Sequence, residues 1–334
     1  MKTELLPTHT PALFETAVAR AVELLRAGQV VALPTETVYG LAANAWDAAA
    51  VRRIFEVKGR PPDNPIIVHV AGLELARRCV SDWPPLAAKL AAAFWPGPLT
   101  LVLPRANEIP PIVTAGGPTV GVRWPSHPFI QAVIRACGFP LAAPSANPSN
   151  QLSPTNAAHV RKYLGERIPL IIDGGQAQVG IESSVLDLVC APPQLLRPGM
   201  IHAQSLLAVM GGDSLEMGHG GTAARRSPGL LRKHYSPRAR LVILRWRDEA
   251  ELAEQVDRLG VPREKVHILA HSGIPLRQSF GRVAVIPHEA QAYARALYAE
   301  LHQCDEGGAA VIVVEAPPQD EAWRGIADRL GRAR

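Results

Sequence analysis

Short apolar runs alternate with helix-period segments along the chain, and the alternation breaks between Gly211 and Ser227. Such alternation confines a chain to layered α/β folds, because each strand needs a covered face and each helix an apolar stripe to bury. The break carries Gly211-Gly212, Gly218 and Gly220-Gly221 with almost no apolar pattern, which is the composition of a flexible linker. A chain of 334 residues exceeds the ~250–300 that one core usually supports, so two units are expected. Their limits are residues 1–210 and 239–334, with the linker over 211–238.

In the first unit, Leu13, Ala17, Ala21 and Leu24 have helical spacing and Gly28 is a natural stop. Asp47 can cap a helix that ends near Lys58-Gly59, and helices are also predicted over 86–94, 128–137 and 203–210. Ser153-Pro154 reads as a further helix start, serine as cap and proline at the first helical position. Strands are predicted at 30–33, 66–70, 99–103, 120–123, 141–143, 170–172, 184–188 and 194–197. In the second unit, strands at 241–244, 266–270, 283–286 and 310–314 alternate with helices over 249–259, 289–303 and 321–330. That order predicts a small, mainly parallel Rossmann-like sheet, without the G-x-G-x-x-G that would argue for a dinucleotide.

Several classes are disfavoured. The composition, 47% hydrophobic and 19% charged, is that of a globular chain. No apolar run approaches the ~20 residues of a membrane span, and Met1 to His9 lacks a signal pattern, so a cytoplasmic protein is expected. The four cysteines are scattered, with no zinc spacing. A net charge of +5 suits anionic substrates or nearby RNA, but the basic residues are dispersed, so charge alone defines no groove. There is no P-loop, G-x-S-x-G or H-E-x-x-H, which leaves non-covalent positioning as the chemistry to look for.

Six segments stand out. Pro34-Thr35-Glu36-Thr37-Val38-Tyr39-Gly40-Leu41 follows a hydrophobic strand and reads equally as a strand-to-helix turn or a ligand site. Lys58-Gly59-Arg60-Pro61-Pro62-Asp63-Asn64-Pro65 puts two cations on a proline-stiffened loop, a plausible oxyanion clamp, with His69 on the next strand. Arg123 ends an apolar strand and, if buried, needs either a structural ion pair or a substrate carboxylate. Ala143-Pro144-Ser145-Ala146-Asn147, with Ser153 beyond it, is a loop of small residues that a ligand could approach closely. Glu182-Ser183-Ser184 and Leu196-Arg197-Pro198-Gly199 lie at strand ends.

These segments, with Phe94-Trp95-Pro96-Gly97-Pro98-Leu99-Thr100, fall in the order typical of YrdC-domain threonylcarbamoyl-AMP synthases. Ser227-Pro228-Gly229-Leu230-Leu231-Arg232-Lys233-His234-Tyr235-Ser236-Pro237 resembles the linker signature of the family's long form, and Gly325 to Leu330 its last helix. The resemblance covers nearly the whole chain. Pro144 and Leu230 depart from the usual pattern without removing a polar group.

The resemblance implies a YrdC-type twisted mixed-sheet domain joined by the linker to the Rossmann-like one. It implies that L-threonine, bicarbonate and ATP give threonylcarbamoyl-AMP, pyrophosphate and water, with Mg2+ accompanying ATP. A partner transferase complex would then carry the group to tRNA beside the anticodon, with weak tRNA contact by this chain an open element. By motif match, Thr37, His69, Arg123, Ala143 (through its backbone) and Ser183 fall to threonine, and Arg60, Asn64, Thr119, Ser145, Ser153, Arg197 and Tyr235 to ATP. Lys58 and Arg60 are the expected catalytic groups. Tyr235 lies outside the catalytic domain, so its role requires the linker to fold over the pocket as a lid. Rival readings are a carbamoyl adenylate-forming YrdC-domain enzyme of hydrogenase maturation, which would carry further cysteine-rich regions, and a non-enzymatic RNA-binding protein of the same fold.

Overall fold

The structure, a computed structural model, describes residues 2–212, 214–218, 235–276 and 280–334. The linker signature from Ser227 to His234 lies outside the described residues.

The first unit is built on a mixed sheet of eleven strands. In spatial order these are Glu4–Pro7, Leu170–Asp173, Val31–Leu33, Gly40–Asn44, Leu141–Ala142, Val68–His69, Thr119–Arg123, Leu99–Pro104, Ser184–Asp187, Gln194–Arg197 and Glu216–Met217. Two apolar clusters cover it. One packs the helices Ala48–Lys58 and Pro85–Phe94 on the sheet, and the other packs Pro11–Arg26 and Pro128–Cys137. Each helix is signalled locally: Asp47 Oδ1 accepts the N–H groups of Ala49 and Ala50 at 2.8 and 3.2 Å, and Thr10 caps Pro11–Arg26.

The second unit is a four-stranded sheet, Arg240–Leu244, Val311–Glu315, Val266–Ala270 and Arg282–Val285 in spatial order, all parallel. Its helices are Glu249–Asp257, Ala290–Glu306 and Arg324–Ala333. The parallel Rossmann-like arrangement expected from strand–helix alternation is therefore present.

Three local expectations are corrected. Pro34 to Leu41 is not a strand-to-helix turn, because the chain reverses into Gly40–Asn44, which pairs antiparallel with Val31–Leu33. The helix near Ser153-Pro154 starts later, at Ala157–Leu164, with Asn156 as its cap. Its Oδ1 accepts the His159 N–H at 2.9 Å, while the Ser153 hydroxyl turns elsewhere. Finally, Glu216–Met217, inside the glycine-rich segment, pairs parallel with Gln194–Leu195 and so adds to the large sheet.

The two units share a core. One cluster joins Val38, Leu152 and Ile181 of the first unit and Tyr235 to Tyr293, Ala294, Leu297 and Tyr298 of the second. A Cβ on Gly180 would lie 2.4 Å from the carbonyl oxygen of Ala294, and Gly180 has φ +83, so glycine is needed on both counts.

Candidate active site

The turn after Val31–Leu33 is organised by Thr35. Its Oγ1 accepts the N–H groups of Thr37 and Val38 at 3.2 and 3.3 Å and donates to the Val38 carbonyl at 2.6 Å. The Thr37 hydroxyl, 2.9 Å from that of Thr35, is thereby presented to a cavity of about 530 Å³ at the strand ends.

His69 and Arg123 stand side by side on the other flank, because Val68–His69 and Thr119–Arg123 pair in parallel with His69 opposite Arg123. Burial, with the Arg123 charge beside it, pushes the His69 imidazole down to about 3, so it is neutral at physiological pH. Arg123 Nη2 lies 2.7 Å from Glu36 Oε1, both side chains being buried. The angle is poor for a hydrogen bond, so this is a charge contact that leaves both groups with unused hydrogen-bonding capacity. The Phe94 to Thr100 motif serves this flank: the Gly97 carbonyl accepts from Arg123 Nε at 3.3 Å, and the Gly97 N–H donates to the Trp124 carbonyl at 2.8 Å.

The cationic loop begins where Ala48–Lys58 ends. Gly59 takes φ +59, and the Arg60 N–H reaches back to the Phe55 carbonyl at 3.0 Å, a left-handed helix stop that turns the next residues inward. Lys58 Nζ donates to the carbonyls of Ser145, at 2.5 Å, and Asn147. Burial, and then the Arg60 charge, drives the Lys58 pKa well below its usual value. Arg60 donates to the carbonyls of Asn64 and Pro65 at 3.0 and 2.6 Å, and burial lowers its pKa to about 10.

Of the residues singled out from the sequence, Thr37, Arg60, His69, Arg123, Ala143, Ser145, Arg197 and Tyr235 line the cavity. Lys58, Asn64, Ser153 and Ser183 stand one layer behind, each bonded to a lining residue or its loop. Thr119 opens the strand that Arg123 closes, four residues away and so ~13 Å, on the same face by the two-residue period. It is not part of the cavity wall. Tyr235 does reach the pocket across the boundary between the units. It is buried and has φ 63, rare for an aromatic residue, in a position the neighbouring Ser236 N–H secures on the Asn150 carbonyl at 3.0 Å.

Two carboxylates escaped the sequence reading: Glu182, which lines the cavity, and Glu36, which lies against Arg123. Both sit inside segments that stood out, but only burial shows that a carboxylate there must face a cation. Three buried arginines, Arg60, Arg123 and Arg197, line the cavity with Glu182; Lys58 lies behind them, and Arg329 is paired with Glu182 and Asp328.

The fold and the site thus define a two-unit α/β protein with a cationic small-molecule pocket at strand ends, walled in part by Tyr235 of the segment that joins the units. Residues 23–199 match the Sua5_yciO_yrdC family, described as "Telomere recombination". Residues 201–334 match the Sua5_C family, described as "Threonylcarbamoyl-AMP synthase, C-terminal domain". The threonylcarbamoyl-AMP synthase of Pyrococcus abyssi is 37% identical over 94% of this chain and 92% of its own length. That of Bacillus subtilis is 40% identical over 99% and 95%. A crystal structure of P. abyssi Sua5 complexed with L-threonine matches with a TM-score of 0.90 at 35% identity, covering 100% of this chain and 97% of that one. Escherichia coli YciO matches with a TM-score of 0.53 at 25% identity, over 59% of this chain and 96% of its own. The chain belongs to the threonylcarbamoyl-AMP synthase family.

Proposed function

We propose that this chain is a nucleotidyltransferase that makes threonylcarbamoyl-AMP and pyrophosphate from L-threonine, bicarbonate and ATP, in the cytoplasm, for a transferase complex that modifies tRNA. The observation that carries the reading is the set of three buried arginines, Arg60, Arg123 and Arg197, that line the cavity alongside a single lining carboxylate among the described residues, Glu182, a charge balance that suits anionic ligands. Threonine's amine attacks the bicarbonate carbon and water leaves. An oxygen of the resulting carbamate then attacks the α-phosphorus, and pyrophosphate departs.

In this reading the Thr37 and Ser183 hydroxyls, neutral His69, the Ala143 backbone and Arg123 hold threonine. Arg123 suits the carboxylate because its existing contact with Glu36 leaves a donor unused. Arg60, Asn64, Thr119, Ser145, Ser153, Arg197 and Tyr235 hold ATP, with Thr119 meeting only the part farthest from Arg123. Lys58 and Arg60 stabilise the charge that develops on carbamate and phosphate, and alignment does the rest. Among the described residues no three His, Cys, Asp or Glu side chains converge on a metal position. Magnesium, when bound with ATP, would offset charge on the triphosphate.

Pyrophosphate release from ATP with bicarbonate present tests the reading. Release that depends on threonine supports it; release that is absent, or equal with serine and valine, overturns it.

A further inference from the structure

The helix Ala290–Glu306 lies along the catalytic unit. The Ala294 backbone meets Gly180, the Tyr298 hydroxyl donates to Glu182 Oε2 at 3.2 Å, and His302 Nε2 is 3.1 Å from the Ser153 carbonyl. Beside it, Arg329 of Arg324–Ala333 is almost wholly buried against the same wall. Arg329 Nε donates to Glu182 Oε2 at 2.7 Å and Nη2 to the Glu182 carbonyl at 3.1 Å. Arg329 Nη1 donates to the Pro198 carbonyl at 3.0 Å and to Asp328 Oδ2 at 2.7 Å. Its guanidinium also lies 5.5 Å from the centre of the Tyr235 ring.

One side chain of the second unit therefore grips three parts of one pocket wall. Through Glu182 it reaches Ser153, whose hydroxyl donates to Glu182 Oε1 at 2.5 Å. Through Pro198 it holds the residue that follows Arg197, and through its face it holds Tyr235. Charge balance points the same way. Burial alone would raise the Glu182 pKa, but Arg329, then Arg197 and the Ser153 hydroxyl, outweigh it, and the carboxylate stays ionised. Without Arg329, Glu182 would turn its charge on Arg197, whose own pKa burial already lowers.

We propose that Arg329 and Tyr298 are positioning residues for the nucleotide side of the pocket, fixing Glu182 so that Ser153, Arg197 and Tyr235 are set to receive ATP. This gives the second unit a task in the reaction, and it rests on the assignment of those three residues to ATP. On the threonine side, Thr37, His69 and Arg123 take no hydrogen bond from Arg329, and Ser183 is coupled to it only through Glu182 and Arg197, so the larger effect of losing Arg329 falls on ATP.

The test measures KM for ATP and for threonine, with kcat and thermal midpoint, in the full-length chain and in R329M, R329K, Y298F and E182Q/R329M. Wild-type turnover is the control: its absence overturns the proposed function itself, whereas a failure confined to the variants overturns this inference alone. R329M is expected to raise the ATP KM at least ~10-fold and the threonine KM no more than ~3-fold. R329K keeps the charge but not the fork, so its ATP KM should lie between wild type and R329M. Removing the stranded carboxylate in E182Q/R329M should recover part of the loss. If R329M does not fold, R329K and Y298F decide, with a rise in ATP KM above that for threonine supporting the inference. Equal rises for both substrates, or a lower thermal midpoint with unchanged KM for ATP, would show a purely structural contact and overturn it.

Discussion

The two walls of the pocket are made differently. The wall of Thr37, His69 and Arg123 comes entirely from strand ends of the first unit, where backbone pairing sets the spacing: His69 is opposite Arg123 because their strands are in register. The wall of Glu182, Arg197 and Tyr235 is assembled across the boundary between units, by Arg329, Tyr298 and a shared apolar cluster. A wall fixed by a sheet keeps its geometry while the sheet survives. A wall fixed by docking depends on the interface, so perturbing each side should give separable effects.

The largest effect is expected on the sheet side. R123A would leave the Glu36 carboxylate buried beside the gap, and such a loss costs ~3–5 kcal/mol. Urea denaturation should show that drop, with turnover abolished, and E36Q in the same background should restore part of the stability but not the activity. A variant as stable as wild type would mean that Glu36 finds another partner and that this wall is less rigid than its register implies.

Next is the docking side. G180A places a Cβ 2.4 Å from the Ala294 carbonyl oxygen at a positive φ, so the helix Ala290–Glu306 must move. A loss of ~2–3 kcal/mol is expected in urea denaturation, with binding of both substrates weakened in titration calorimetry, because the Gly180 N–H also donates to the Thr37 carbonyl at 3.1 Å. A variant as stable as wild type would show that the helix yields at this contact without cost.

Acid offers a third lever. His159 and His302 stack across the interface with ring centres 3.8 Å apart, and burial lowers them to about 3 and about 4. The folded state keeps them neutral while the unfolded chain takes up protons below about 6.5, so stability is lost as pH falls from there toward the folded values. Each contributes at most ~1.4 kcal/mol per pH unit in that window. His69, at about 3, acts in the same direction on the sheet side. Denaturant midpoints at pH 7 and pH 5 should differ in wild type and differ less in H159F/H302F; an unchanged difference would assign the acid response elsewhere.

The smallest effect separates a cap from a pocket residue. N156A removes the cap of Ala157–Leu164 and should cost ~1 kcal/mol without changing KM for either substrate. S153A should leave that helix intact and raise the ATP KM, because its hydroxyl holds Glu182.

The last pair also shows where local rules stop. Ser153-Pro154 has every mark of a helix start, yet its serine is taken by a carboxylate 29 residues away, a partner that no local pattern displays. The strand Gly40–Asn44 hides for a different reason: its first four residues are small or apolar and wholly buried, so no two-residue alternation marks it. By contrast, Pro128–Cys137 is legible to the residue, because His127, Pro128 and Gly138 punctuate a strong apolar stripe. In the site, Thr37, Arg60 and Arg123 are legible through the order of their motifs along the chain, since each segment alone reads as well as a turn, a helix end or an ion pair. Glu36 and Glu182 are not, because their importance lies in being buried. Arg329 is hidden most deeply, since its partners come from the other unit.

The most direct test of the account is to follow isotope-labelled bicarbonate through the reaction with ATP and threonine, analysing products by mass spectrometry. The account predicts a single product containing threonine, AMP and the labelled carbon, formed with one pyrophosphate. AMP or pyrophosphate released without a labelled threonine adduct would contradict it.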